Sequence, residues 1–233
     1  MTTLLYSWPV AARFGRAVPK TKFYEHATIG AGVRDKFVSE VRRITWAYKL
    51  AESTINLSSS AEVPEIQVFE IDGKVDHVSE EVLAAIDKAV RTPIIFEIRR
   101  SQGAREEIQM VAAHKQLGNG APKVGPYFRT EWHPAETKRA VLPTAIDLTA
   151  LYTALVQPLT PLESQAGEKV SDVVARLTTV RKIEREITAL ERKLRNEPQL
   201  NRKVELRRTL RAKQTALAKL TSTATGPTAG NTN

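Results

Sequence analysis

The sequence predicts an α+β body with a mostly antiparallel sheet of about five strands and covering helices, followed by a basic antiparallel helical hairpin of coiled-coil type. Three observations predict it. Short β-branched and aromatic runs alternate with turn signals and helical stretches through the first two-thirds of the chain. From Val173 the apolar residues Leu177, Val180, Ile183, Ile187, Leu190 and Leu194 follow at steps of three and four, the period of one helix face. The basic charge is concentrated on that same stretch. The layout expected is a body over 1–157, a linker over 158–167, a hairpin over 168–220 and a disordered tail over 221–233.

Residues 1–25 read as an irregular segment anchored by Trp8-Pro9, Phe14, Val18-Pro19, Phe23 and Tyr24. A helix is expected over 31–44, with Val33, Phe37, Val41 and Ile44 on one face. A strand follows, with Ile44, Trp46, Tyr48 and Leu50 alternating. Residues 51–63 read as a polar loop. Glu65 to Ile71 is a strand that ends at the turn pair Asp72-Gly73. Ser79 is placed to cap a helix whose first turn carries Glu80 and Glu81 and whose apolar face is Val82, Leu83, Ile86 and Val90. Pro93 to Ile98 and Ile108 to His114 are expected to form an antiparallel hairpin around Ser101-Gln102-Gly103. Residues 117–126 read as a flexible loop, Tyr127 to Trp132 as a fifth strand, 133–143 as a loop and Asp147 to Val156 as a helix.

The second arm of the hairpin begins after Asn196-Glu197-Pro198, because Pro198 cannot donate a backbone N–H and disfavours helix in the residue before it. Leu206, Leu210, Leu217 and Leu220 form its stripe, interrupted by Lys213. From Arg176 to Lys213 there are thirteen Lys or Arg against five Asp or Glu, while residues 1–167 hold twenty basic and nineteen acidic residues. A near-neutral body with a basic arm is the charge footprint of a phosphate-facing element. The residues expected to bind nucleic acid are Arg192, Lys193, Arg195, Arg202, Lys203, Arg207, Arg208 and Arg211. The plain alternative is a solvated face on which Glu184, Glu186, Glu191 and Glu205 pair with basic neighbours one turn away.

Composition excludes several classes. With no cysteine there is no disulfide framework, thiolate zinc site or cysteine nucleophile. No apolar run reaches the roughly 18–20 residues that span a bilayer, and Met1 to Pro9 lacks the features of a signal peptide. A cytoplasmic protein without a membrane partner is expected. His26, His77, His114 and His133 show no metal-ligand spacing, and no hydrolase, Walker or dinucleotide pattern occurs. Gly118-Asn119-Gly120 reads as a loop. No metal, no cofactor and no catalysis are expected. The best catalytic alternative is a metal-dependent nuclease built on Glu70, Asp72, Lys74 and Glu97 at strand ends. Tyr48-Lys49 resembles a single-strand stacking platform, which makes Lys49 a further candidate for nucleic-acid contact.

Trp8-Pro9, Pro19-Lys20, Phe23-Tyr24, Tyr48-Lys49-Leu50 with Thr54 and Asn56, and Asn201-Arg202-Lys203-Val204-Glu205-Leu206 together resemble an uncharacterised bacterial family, domain-of-unknown-function family 4391. Arg207 stands where that family's motif ends in Asn. The resemblance implies a bacterial protein encoded beside helicases and DNA methyltransferases in restriction-like or phage-defence loci, and carries no assigned chemistry. The hairpin also resembles the C-terminal coiled-coil arms of valyl-tRNA synthetases and some ribosome-binding ATPases, which touch RNA. The function expected is thus a non-catalytic nucleic-acid-binding accessory subunit, of DNA before RNA, working with a helicase or DNA methyltransferase. The alternative is a protein-docking scaffold in the same kind of complex.

Overall fold

The computed structural model describes residues 4–26, 29–103, 105–117, 122–161 and 170–221. The chain divides into two compact units, Met1–Pro161 and Leu162–Asn233.

The first unit is a mixed α+β fold. Its strands are β1 (Arg13–Ala17), β2 (Val41–Leu50), β3 (Ile66–Gly73), β4 (Ile94–Gln102), β5 (Arg105–Gln116), β6 (Lys123–Arg129) and β7 (His133–Pro134). Its helices are α1 (Lys20–His26), α2 (Ala31–Glu40), α3 (Glu52–Ile55), α4 (Glu80–Ala89) and α5 (Leu148–Val156). The sheet runs β1-β2-β3-β4-β5-β6, with β7 beside β5.

The expectation of a mostly antiparallel, five-stranded sheet is corrected: the sheet is mixed and has seven strands. Its central pair, β3 and β4, is parallel, with Gln67 opposite Ile94 and Asp72 opposite Arg99. The reason lies in the connection. Helix α4 intervenes between the two strands, and a crossover of that length returns the chain in the same direction, whereas a tight turn reverses it. Strand β1 was not expected, because Arg13-Phe14-Gly15-Arg16-Ala17 has no alternation. It forms on the sheet edge, where Gly15 takes φ +67°.

Other boundaries shift for local reasons. Helix α2 stops at Glu40, and the expected helical residues Val41 to Ile44 belong to β2, where both β-branched ends are buried. The polar loop after β2 holds the short α3. Strand β6 begins before Pro126, inside the expected loop. It is tolerated there because β6 pairs only with β5, so the missing N–H breaks no second ladder. The Gly118–Gly120 segment, the second half of the linker and the tail from residue 222 lie outside the described residues.

Alternation along the strands sorts the two faces. Phe69, Ile71, Phe96, Ile98 and Val111 share one face and pack with Phe37 of α2, Phe23 of α1 and Val82, Leu83 and Ile86 of α4. The opposite face buries Val68, Ile95, Met110 and Ala112. Helix α5 is tied to the sheet by Tyr152, whose hydroxyl donates to the Ala113 carbonyl at 2.6 Å. Asp147 caps α5, accepting from the Ala150 N–H at 2.7 Å.

The second unit contains α6 (Val170–Asn196) and α7 (Leu200–Thr221), broken at Glu197-Pro198-Gln199. They run antiparallel. Arg176 near the start of α6 donates to the Leu220 carbonyl near the end of α7 at 3.0 Å, and Lys213 pairs with Glu186 at 2.6 Å. Val173, Leu177, Val180 and Ile183 are buried, while Leu190 and Leu194 of α6 and Leu206, Leu210, Leu217 and Leu220 of α7 are half-buried. Lys213, which interrupts the stripe of α7, is half-buried and satisfied by its pairing with Glu186.

Candidate nucleic-acid interface

The apolar stripes of α6 and α7 decide where the cations go. With Leu and Ile turned toward the partner helix, the residues between them project outward. Arg192, Lys193, Arg195, Arg202, Arg207, Arg208 and Arg211 are all exposed, and Lys203 is half-buried beside Leu206. Arg181, Arg185 and Arg192 recur at steps of four and seven, which places them on one line down α6. Near the break the helices enclose a groove of about 940 Å³, lined by cations Arg185, Arg192, Lys193 and Arg202 and by donors Thr188 and Asn196. Two carboxylates, Glu197 and Glu205, also line it.

The hairpin glutamates could pair with cations one turn away. Among the described residues only Glu186 does so, with Lys213, whose hydrogen bond holds its carboxyl below the usual range. Glu184, Glu191 and Glu205 form no ion pair. None of the eight expected cations, from Arg192 to Arg211, has a side-chain hydrogen bond or ion pair among the described residues. The arm thus carries a net positive charge, with thirteen Lys or Arg against five Glu from Arg176 to Lys213.

The body places the other candidates differently. Lys49 is paired with Glu65 at 2.8 Å. Its neighbour Tyr48 is half-buried, with its ring centroid 6.2 Å from that of Trp8. The corner that follows is structural. The Thr54 hydroxyl donates to the Lys49 carbonyl at 2.8 Å and accepts from the Ala51 N–H at 2.9 Å. Asn56 then ends α3 at φ 55°, a left-handed position that Asn tolerates. Thr54 and Asn56 therefore build the turn out of β2.

Of the four nuclease candidates, Glu70 and Glu97 are opposite each other on β3 and β4. Glu97 is fully buried and already saturated. It accepts from Trp8 Nε1 at 2.7 Å and from both Arg139 guanidinium nitrogens at 2.6 and 2.9 Å. That bidentate bond raises the Arg139 pKa further. Lys74 donates to the Val38 carbonyl at 2.8 Å. Glu70 and Asp72 line a polar cleft of about 310 Å³ with Arg42, Arg99 and Glu106. Among the described residues no group of three or more His, Asp or Glu is placed to hold a metal ion.

The sequence did not signal two buried polar clusters. One is Glu97 with Trp8 and Arg139, which also donates to the Tyr6 carbonyl at 2.8 Å and so clamps the N-terminal segment to the sheet. The other joins Asp87 of α4 to Lys115 of β5 at 2.6 Å. Lys115 also donates to the carbonyls of Asp87, Val90 and Thr92, and thereby satisfies the open C-terminal end of α4. Tyr127 donates to the second Asp87 oxygen. Burial pushes the Asp87 carboxyl up and the Lys115 ammonium down, and their mutual attraction opposes both shifts. Lys115 looks like an ordinary strand lysine in sequence, and its partner lies on a different element.

Among the described residues no helix is long and apolar enough to cross a membrane. Neither any curated protein nor any solved structure matches the chain. One family does: its sequence model, described as Domain of unknown function (DUF4391), matches residues 7–217 and so takes in both the sheet domain and nearly all of the basic hairpin. The chain belongs to the DUF4391 family.

Proposed function

We propose that the protein is a non-catalytic nucleic-acid-binding subunit that grips phosphate backbone with the outer surface of its C-terminal hairpin. The observation that carries this reading is the row of exposed, unpaired cations on α6 and α7 beside glutamates that mostly leave them uncompensated. Such a surface binds phosphates and does not read bases, so recognition is sequence-tolerant and weakens steeply with salt. The company of a helicase or DNA methyltransferase, implied by the sequence resemblance, would supply the chemistry.

The test is fluorescence anisotropy with the full chain and a quadruple variant, Arg202→Glu, Lys203→Glu, Arg207→Glu and Arg208→Glu. The variant should lose on the order of a hundredfold or more in affinity at moderate salt, since each phosphate contact carries its own counterion release. Unchanged affinity would remove the hairpin from the interface.

One observation favours a second reading, a protein-docking scaffold. Leu200 and Val204, one turn apart on α7, are 72% and 57% exposed. If this patch docks on a helicase or methyltransferase partner, Leu200→Asp with Val204→Asp abolishes co-purification with that partner and leaves DNA affinity within about threefold.

A further inference from the structure

We infer that the nucleic acid held by the hairpin is a double helix and not a single strand. The inference rests on the phosphate-binding reading above and narrows it to a substrate class.

The first observation concerns aromatic rings. Proteins that hold single strands without reading sequence combine a basic groove with rings on which the bases stack, and that stacking supplies about 1–3 kcal/mol per base. This chain has three Trp, five Tyr and six Phe, and the last of them is Tyr152. The hairpin has no ring at all. In the body every ring is buried or half-buried, and none is exposed. Trp46, the best candidate on the sheet, is sandwiched between Phe14 at 4.3 Å and Phe69 at 5.9 Å. Its indole N–H is taken by Gln67. Trp8 is buried against Glu97. Among the described residues no Trp, Tyr or Phe ring is exposed, and the hairpin that carries the cations has none.

The second observation concerns spacing. Arg181, Arg185 and Arg192 sit along one line of α6, and at about 1.5 Å per residue this line is about 16 Å long. Arg207, Arg208 and Arg211 extend the cationic surface on α7. A continuous helix fixes these charges relative to one another. A double helix likewise fixes its phosphates and carries about one charge per 1.7 Å of axis, against about one per 3.4 Å on a single strand. Two rigid arrays meet with little ordering cost. A flexible strand must be ordered to match, and without stacking only the phosphate contacts offset that loss.

The experiment compares the full chain against four fluorescein-labelled probes of about 24 nucleotides per strand, spanning some two helical turns: duplex DNA, duplex RNA and one non-self-complementary strand of each. Affinities are measured between about 0.05 and 0.3 M NaCl, with heparin as a non-helical polyanion competitor. The expected result is tighter binding of at least one duplex, by about tenfold or more over its own single strand, with a slope of log K on log salt near −0.9 per phosphate neutralised. The preferred duplex identifies B-form or A-form backbone. A triple variant, Arg181→Gln, Arg185→Gln and Arg192→Gln, should lose about tenfold or more on the duplex at unchanged helical circular dichroism. If that variant fails to fold, the duplex-to-strand ratio of the natural chain decides alone. Equal or tighter binding of single strands would overturn the duplex inference and leave the phosphate-binding function standing. Displacement of duplex by heparin at equal charge concentration would also overturn it. No binding of any probe at the lowest salt would overturn the function itself.

Discussion

Glu97 and Arg139 show how a residue that looks catalytic in sequence becomes structural in the fold. Glu97 lies on a central strand between Ile95 and Ile98 and has no exposed surface. Burying a carboxylate without partners is costly, and the Arg139 fork and the Trp8 indole supply those partners. Arg139→Ala should therefore destabilise the body by roughly 3–5 kcal/mol in urea unfolding, because it strands a buried charge. Glu97→Gln with Arg139→Met should cost much less than the two single changes together. A readout of equal cost would show that the pair is not coupled. His114 gives a pH dependence. Burial lowers its pKa below the ordinary 6.5, and a weaker attraction to Glu62 opposes this. A depressed imidazole contributes stability above 6.5 that is lost as the pH falls through its folded value. Thermal unfolding of the natural chain should therefore drop below pH 6.5, and His114→Asn should flatten that acid limb.

At the scale of elements, helix starts and the break between the hairpin arms were legible, and capping bonds were not. Asp147 was placed at the start of the last body helix by its sequence alone, and it caps α5 as the chemistry of Asp requires. Asp147→Ala should cost about 1 kcal/mol, measured as a lower urea midpoint with the m-value unchanged. Ser79 occupies the N-cap position of α4 as expected, yet its side chain makes no capping bond. Its hydroxyl has no hydrogen-bond partner, while its backbone N–H donates to the Glu40 carboxylate at 2.8 Å. Pro198 marks the break between α6 and α7, since it removes a donor in whichever helix contains it. Strand β1 was invisible because its glycine and arginines show no period. An edge strand exposes most of its side chains, so its sequence is under little hydrophobic patterning.

For the whole molecule, charge has opposite effects on stability and on binding. The net charge is +9, and most of it lies on two neighbouring helices. Raising NaCl from about 0.05 to 0.5 M should screen the repulsion within the arm and slow its amide exchange, while the same change weakens nucleic-acid binding by orders of magnitude. Parallel changes in both would mean that the arm's cations do not contact phosphate. The sequence by itself determined the mixed helical and strand content, the basic C-terminal helix pair, the break at Pro198 and the family. Each of these follows from local period, local charge or short motifs, which survive without knowledge of the fold. Only the tertiary structure decided that β3 and β4 are parallel, that Glu97 is clamped by Trp8 and Arg139, that Lys115 closes the end of α4, and that every Trp, Tyr and Phe ring is at least half-buried. Those are relations between residues far apart in the chain. They depend on which strands become neighbours, and the period of a strand is the same whichever way its neighbour runs.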